Sequence, residues 1–138
     1  MALLEISEII RRCSEFKKKE ERVLALQANA NEPIKIILQY MFHPDVKFLL
    51  PQGDPPYKPA EVFEAALLYK EARKLYIFID GGNPNVNQIR REAIFLDILQ
   101  AVTPEDAKLL IAMKDKKSPY KGLTKDVAFA AFPELFPT

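Results

Sequence analysis

Few residues in this 138-residue chain have the type and spacing for covalent or metal chemistry. His43 is the only histidine, so a histidine dyad or a multi-histidine metal site within one chain is ruled out. It stands just before Pro44, where an imidazolium at the carboxyl end of a helix interacts well with the terminal carbonyls. Cys13 is the only cysteine and falls among Ile9, Ile10 and Phe16, so it reads as a small core hydrophobe. Asp80-Gly81-Gly82 lacks the Gly-Lys-Ser/Thr that completes a phosphate-cradling loop. The carboxylates are scattered among basic neighbours, the pattern of solvated helix faces. These residues predict no catalysis, no metal and no cofactor.

One cluster stands out. Lys114, Lys116, Lys117, Lys121 and Lys125 lie within twelve residues, opposed in that window only by Asp115. They surround the end of one predicted helix, a Pro119-Tyr120-Lys121-Gly122 turn and the start of another at Thr124. Lysines draw in phosphates over a distance, and backbone amides near Gly122 and Thr124 would add short-range donors. Lys116 and Lys117 are expected in an exposed loop. A second basic stretch, Lys17 to Arg22, is nearly balanced by Glu20 and Glu21 and reads as a solvated face.

The elements that must position these groups are helices. Leu3, Ile6, Ile9 or Ile10, Cys13 and Phe16 repeat at three and four residues and predict a first helix. A second has a charged first turn and ends near Asn29. Asn31 caps a third, with Pro33 in its first turn and Ile34, Ile37, Leu38, Met41 and Phe42 as its buried stripe. Leu50 to Pro59 carries four prolines and reads as a stiff connector. A helix is expected from Ala60 to Lys74, using Val62, Phe63, Leu67 and Leu68. Leu75 to Ile79 is β-rich, though so short a run suits a buried helix equally. Asp80 to Asn85 is a turn.

The next helix, Asn87 to Ala101, is expected to turn Ile89, Ala93, Leu96 and Leu99 or Ile98 inward. Thr103-Pro104-Glu105-Asp106 opens another, carrying Ala107, Leu110, Ile111 and Lys114. Thr124 caps a last short helix through Ala131, stopped by Pro133. Ile37, Met41, Leu96, Leu110 and Val127 are the expected central core positions. The expectation is an all-α fold of six to seven short helices with little or no sheet, one domain over residues 1–138.

Composition sets the outer bounds. Hydrophobic residues make up 49% and charged residues 28%, ordinary for a globular domain. Twenty basic residues against nineteen acidic ones give a net charge of +1. Any nucleic-acid contact must therefore rest on local charge. A single cysteine, no signal-peptide pattern in Met1 to Glu5 and no long apolar run predict a soluble protein of the cytoplasm with no membrane contact.

The order of elements resembles the N-terminal helical DNA-binding domain of T-even-phage-type ATP-dependent DNA ligases, over nearly the whole chain. The likeness begins with the amphipathic helix at Leu4 to Ile10, the lysine-rich second helix ending in Leu24-Ala25-Leu26-Gln27-Ala28-Asn29 and the helix from Ile34 to Phe42. It continues through Pro44-Asp45-Val46-Lys47-Phe48, the proline-rich connector and Ala72-Arg73-Lys74-Leu75. Met113-Lys114-Asp115-Lys116-Lys117 and Ala131-Phe132-Pro133-Glu134-Leu135-Phe136-Pro137 carry most of its specificity. The chain also resembles small uncharacterised proteins of T-even-like phages. The resemblance implies a viral (bacteriophage) protein, in the host cytoplasm, that grips duplex DNA, nicked or intact, through its phosphates. The chain ends where the ligase adenylation domain would begin. It lacks the Lys-x-Asp-Gly nucleophile motif, with Phe78 where the lysine would be, so adenylation is not implied. The alternative is a phage protein–protein adaptor, a virion component or a binder of a host factor. It would dock through Pro51–Pro59 and Phe132-Pro133-Glu134-Leu135-Phe136. Oligomeric state is left open.

Overall fold

The computed structural model describes residues 4–136, so Leu3 and Pro137 lie outside the described residues. Seven α-helices run in order: α1 (Ile6–Ser14), α2 (Lys19–Ala28), α3 (Glu32–Phe42), α4 (Ala66–Glu71), α5 (Gln88–Leu99), α6 (Pro104–Lys114) and α7 (Lys125–Ala131). Two 3₁₀ segments, Ala72–Phe78 and Pro133–Leu135, complete the order. The fold is all-α. Among the described residues the only β-type pairing is one antiparallel bridge between Phe48 and Ile79.

Local sequence explains most boundaries. Asn31, Thr103 and Thr124 each accept a hydrogen bond from the backbone N–H three residues on, as their types predict. Asn87 does the same for α5. Prolines follow the caps of α3 and α6, where an absent N–H costs nothing.

α6 is the central strut, packing on α1, α3 and α5. Its Ala107, Leu110, Ile111 and Met113 are buried. Ile6, Ile10 and Cys13 of α1 and Ile34, Ile37, Leu38 and Met41 of α3 close on it, and α2 packs on α7. These side chains form one continuous hydrophobic core.

Four expectations about elements and their faces are corrected. The helix from Ala60 starts only at Ala66, because Val62 (92% exposed) and Phe63 find no core to cover. Without burial a short helical stretch is marginal in water. Leu75 to Phe78 is neither strand nor α-helix. Ala72, Leu75 and Phe78, buried every third residue, match the three-residue turn of a 3₁₀ helix. On α5 the buried face is Arg91, Phe95, Ile98 and Leu99. Ile89 is 83% exposed, Ala93 is exposed and Leu96 only half-buried. Ile37, Met41, Leu110 and Val127 are buried as expected. Phe16 falls beyond the end of α1 and stands 46% exposed. No helix among the described residues is long and apolar enough to cross a membrane.

Candidate functional site

The five clustered lysines divide into two groups. Lys114 is 2% exposed at the end of α6. Its Nζ donates to the carbonyls of Pro51 (2.8 Å) and Gly53 (2.9 Å) and to Asp115 Oδ1. Asp115 in turn accepts the Gly53 N–H. The pair thus fastens the proline-rich connector onto α6. An ammonium spent on three acceptors inside the protein is not presented to a phosphate, which corrects the reading of Lys114 as a contact.

Lys116 follows the same logic at another helix end. Its Nζ donates to the carbonyls of Tyr40 (2.8 Å) and His43 (2.6 Å), at the carboxyl end of α3. A cation there meets both the unpaired carbonyls and the negative end of the helix dipole. Burial, with the nearby Lys125 second, lowers its pKa to about 8. Lys116 also adopts a left-handed backbone, φ 59°, where its N–H reaches the Met113 carbonyl and that of Lys117 the Ala112 carbonyl. Those two bonds form a Schellman closure of α6, a place that glycine normally fills. Lys116 is thus a tether, not part of an exposed loop. It takes the helix-end role foreseen for His43, whose Nδ1 instead accepts the Asp45 N–H.

Lys117, Lys121 and Lys125 are exposed. Lys125 opens the seven-residue α7 and leans over the Phe129 ring at 5.3 Å. Thr124 is exposed, and its hydroxyl is occupied as the α7 cap. Gly122 is buried, so its contribution is packing. A Cβ at that position would lie 1.9 Å from the Ser14 carbonyl oxygen and 3.0 Å from Arg22 Nε. Only glycine lets the Pro119–Gly122 turn approach the carboxyl end of α1 this closely.

That approach creates a site absent from the linear reading. The turn and the α1–α2 corner enclose an open groove of about 740 Å³. Arg11, Lys17 and Arg22 line one wall with Phe16, and Lys121 and Tyr120 the other. The Lys17–Arg22 stretch, expected to be a mere solvated face, supplies two of the four cations. Arg22 is held in place, its Nε donating to the Phe16 carbonyl (2.6 Å) and its Nη2 to that of Lys17 (3.2 Å). Glu15 is the one carboxylate in the lining, and it is paired with Arg11 at 2.9 Å. The groove is therefore net positive. Tyr120 anchors the turn by donating to the Ser7 carbonyl. Burial, then nearby acids led by Glu105, push its hydroxyl up to about 12, so it stays neutral.

Other chemistry-bearing groups serve the core. Cys13 is buried, with burial raising its thiol pKa. Asp106 is fully buried and accepts the Ser7 N–H at the start of α1 at 2.9 Å. Arg91 uses its guanidinium on the Ile77 and Val86 carbonyls and on Gln88. Among the described residues no three metal-ligating side chains gather.

Comparison with known proteins places the chain in a family and gives no functional precedent. No curated protein and no solved structure matches it. The model of a family of unknown function (DUF6433) matches residues 9–119, from within α1 to the start of the Pro119 turn. The chain belongs to that family.

Proposed function

We propose that the protein is a non-catalytic DNA-binding module that holds duplex DNA by its backbone. The observation that carries this reading is the cationic groove between the α1–α2 corner and the Pro119–Gly122 turn. Arg22 and Lys121 face one depression from positions 99 residues apart, with Lys17 beside them and Arg11 already balanced by Glu15. Lys117 and Lys125 add exposed positive charge flanking that turn. Cations that meet phosphates fix register without reading bases, so the recognition is of duplex shape. A net charge of only +1 confines the attraction to this region. The resemblance to the helical domain of phage ligases points the same way, to a phage-encoded protein acting on DNA in the host cytoplasm.

The second reading is a phage protein–protein adaptor. The exposed Val62 and Phe63, beside a largely exposed connector, favour it. Its other proposed docking element is weakened, because Phe132 and Phe136 are buried.

One titration separates the two. Nicked, intact and single-stranded DNA are each titrated with the protein at two salt concentrations. The DNA reading expects duplex binding that strengthens steeply as salt falls, and no transfer of label from ATP to the protein in the presence of magnesium. Absence of salt-dependent binding by the unmodified protein would leave the adaptor reading in its place.

A further inference from the structure

We infer that the groove seats an unpaired nucleotide at a gap or overhang, its base stacked on Phe16 and its phosphate held by Arg22 and Lys121. This deepens the DNA-binding reading and rests on it. The starting point is an aromatic ring out of place. α1 ends at Ser14, and the chain then turns so that Phe16 stands 46% exposed among cations. Intact duplex offers a protein phosphates and groove edges, and its base faces are covered by stacking. Within a DNA ligand, a phenyl ring at the rim of a phosphate-attracting groove matches a base that has left the stack, because every base has a π-face and aromatic side chains hold it without regard to sequence.

The geometry couples the two halves of such a site. The Phe16 carbonyl accepts from Arg22 Nε at 2.6 Å, and the Lys17 carbonyl from Nη2 at 3.2 Å. The guanidinium is thereby bonded to the backbone of the same turn that carries the ring, and both line the groove. Lys121 faces them from the opposite wall. The volume of about 740 Å³ falls within the roughly 300–1,000 Å³ of pockets that hold small organic ligands. The pairing of Glu15 with Arg11 removes the one charge in the lining that would repel a phosphate.

The test compares a labelled blunt duplex with the same duplex carrying a short thymidine overhang, by fluorescence anisotropy at low salt. The unmodified protein is expected to bind the overhang probe roughly tenfold tighter, the gain of about one stacked base. Phe16→Ala should abolish that gain, while Phe16→Tyr keeps it. Phe16 lies outside the core, and an unchanged thermal midpoint verifies that the variant is folded. A gain that survives Phe16→Ala, or blunt and overhang probes bound equally by the unmodified protein, overturns the inference and leaves duplex binding standing. Failure to bind either probe sinks both readings. Displacement of the overhang probe by an acidic, phenylalanine-bearing peptide as readily as by unlabelled thymidine oligonucleotide would assign the groove to a protein ligand instead.

Discussion

At the scale of single residues, two buried charges set the most testable consequences. Lys114 bridges α6 to the connector through two carbonyls and Asp115. Removing one member of a buried pair strands the others, so Lys114→Ala should lower stability by about 3–5 kcal/mol in urea denaturation. Lys117→Ala, at an exposed site, should stay within about 0.5 kcal/mol. Equal effects would mean that Lys114 is not the clamp. Asp106 gives a pH signature. Burial raises its pKa, opposed by hydrogen bonds from Ser7 and Thr103 and reinforced by Glu105. A carboxyl with a raised folded-state pKa is bound to its proton more tightly in the native protein than in the unfolded chain. The folded state therefore loses stability as pH rises from its ordinary value of 3.8 through the raised one. Asp106→Asn keeps an oxygen for the Ser7 N–H and has no charge to bury. Its thermal midpoint should match or exceed that of the unmodified protein at pH 7, and the acidic-range slope belonging to this group should vanish. A slope that persists in the variant would assign the titration elsewhere.

At the scale of elements, close approach and helix closure decide how the groove is built. Gly122 lets the Pro119–Gly122 turn lie against α1, and an added Cβ would sit 1.9 Å from the Ser14 carbonyl oxygen. Gly122→Ala must push the turn away, at a cost of about 1–3 kcal/mol by analogy with overpacked cores. An unaltered thermal midpoint would show that the turn can move freely. Lys116→Gly sets two effects against each other. Glycine relieves roughly 1–2 kcal/mol of left-handed backbone strain. The same change removes two hydrogen bonds from a charged donor, each worth roughly 1.5–3 kcal/mol. The bonds outweigh the strain, so the variant should be less stable by about 1 kcal/mol or more, and a more stable variant would show that the α3 tether contributes little. Much of this level was legible in the sequence. Asn31, Thr103 and Thr124 announced their helices because capping is a local event. The buried face of α5 was not legible, because hydrophobic periodicity assigns an arginine to solvent while Arg91 buries its stem and satisfies its guanidinium on distant carbonyls. Lys114 and Lys116 were misread as surface charge for the same reason, since their carbonyl acceptors lie 61 or more residues away in the chain. The groove was hidden because its walls meet only when α1 and the Pro119–Gly122 turn are folded together, and because helical periodicity assigns Phe16 to the apolar face of α1, whereas it stands exposed beyond the helix end.

For the whole molecule, the question is how a nearly neutral protein attracts a polyanion. With a net charge of +1 there is little long-range field, so the salt dependence of binding must be carried by the few cations that meet phosphates. Each such contact in duplex DNA contributes about −0.9 to the slope of log affinity against log salt. Lys17, Arg22 and Lys121 alone imply a slope of about −3, and adding Lys117 and Lys125 brings it to about −4.5. The combination Lys17→Glu with Lys121→Glu removes one cation from each wall of the groove. It should flatten the slope by about 2 and weaken binding to all sequences alike, because these contacts carry no base information. Both side chains are exposed, so stability should shift by no more than about 0.5 kcal/mol. Reversing Lys117 with Lys125 tests the flank by the same measurement, and a smaller change there would rank the groove above it. A slope unmoved by the groove pair but flattened by the flanking pair would transfer the DNA surface from the α1–α2 corner to the start of α7, with the fold and its two lysine tethers unaffected.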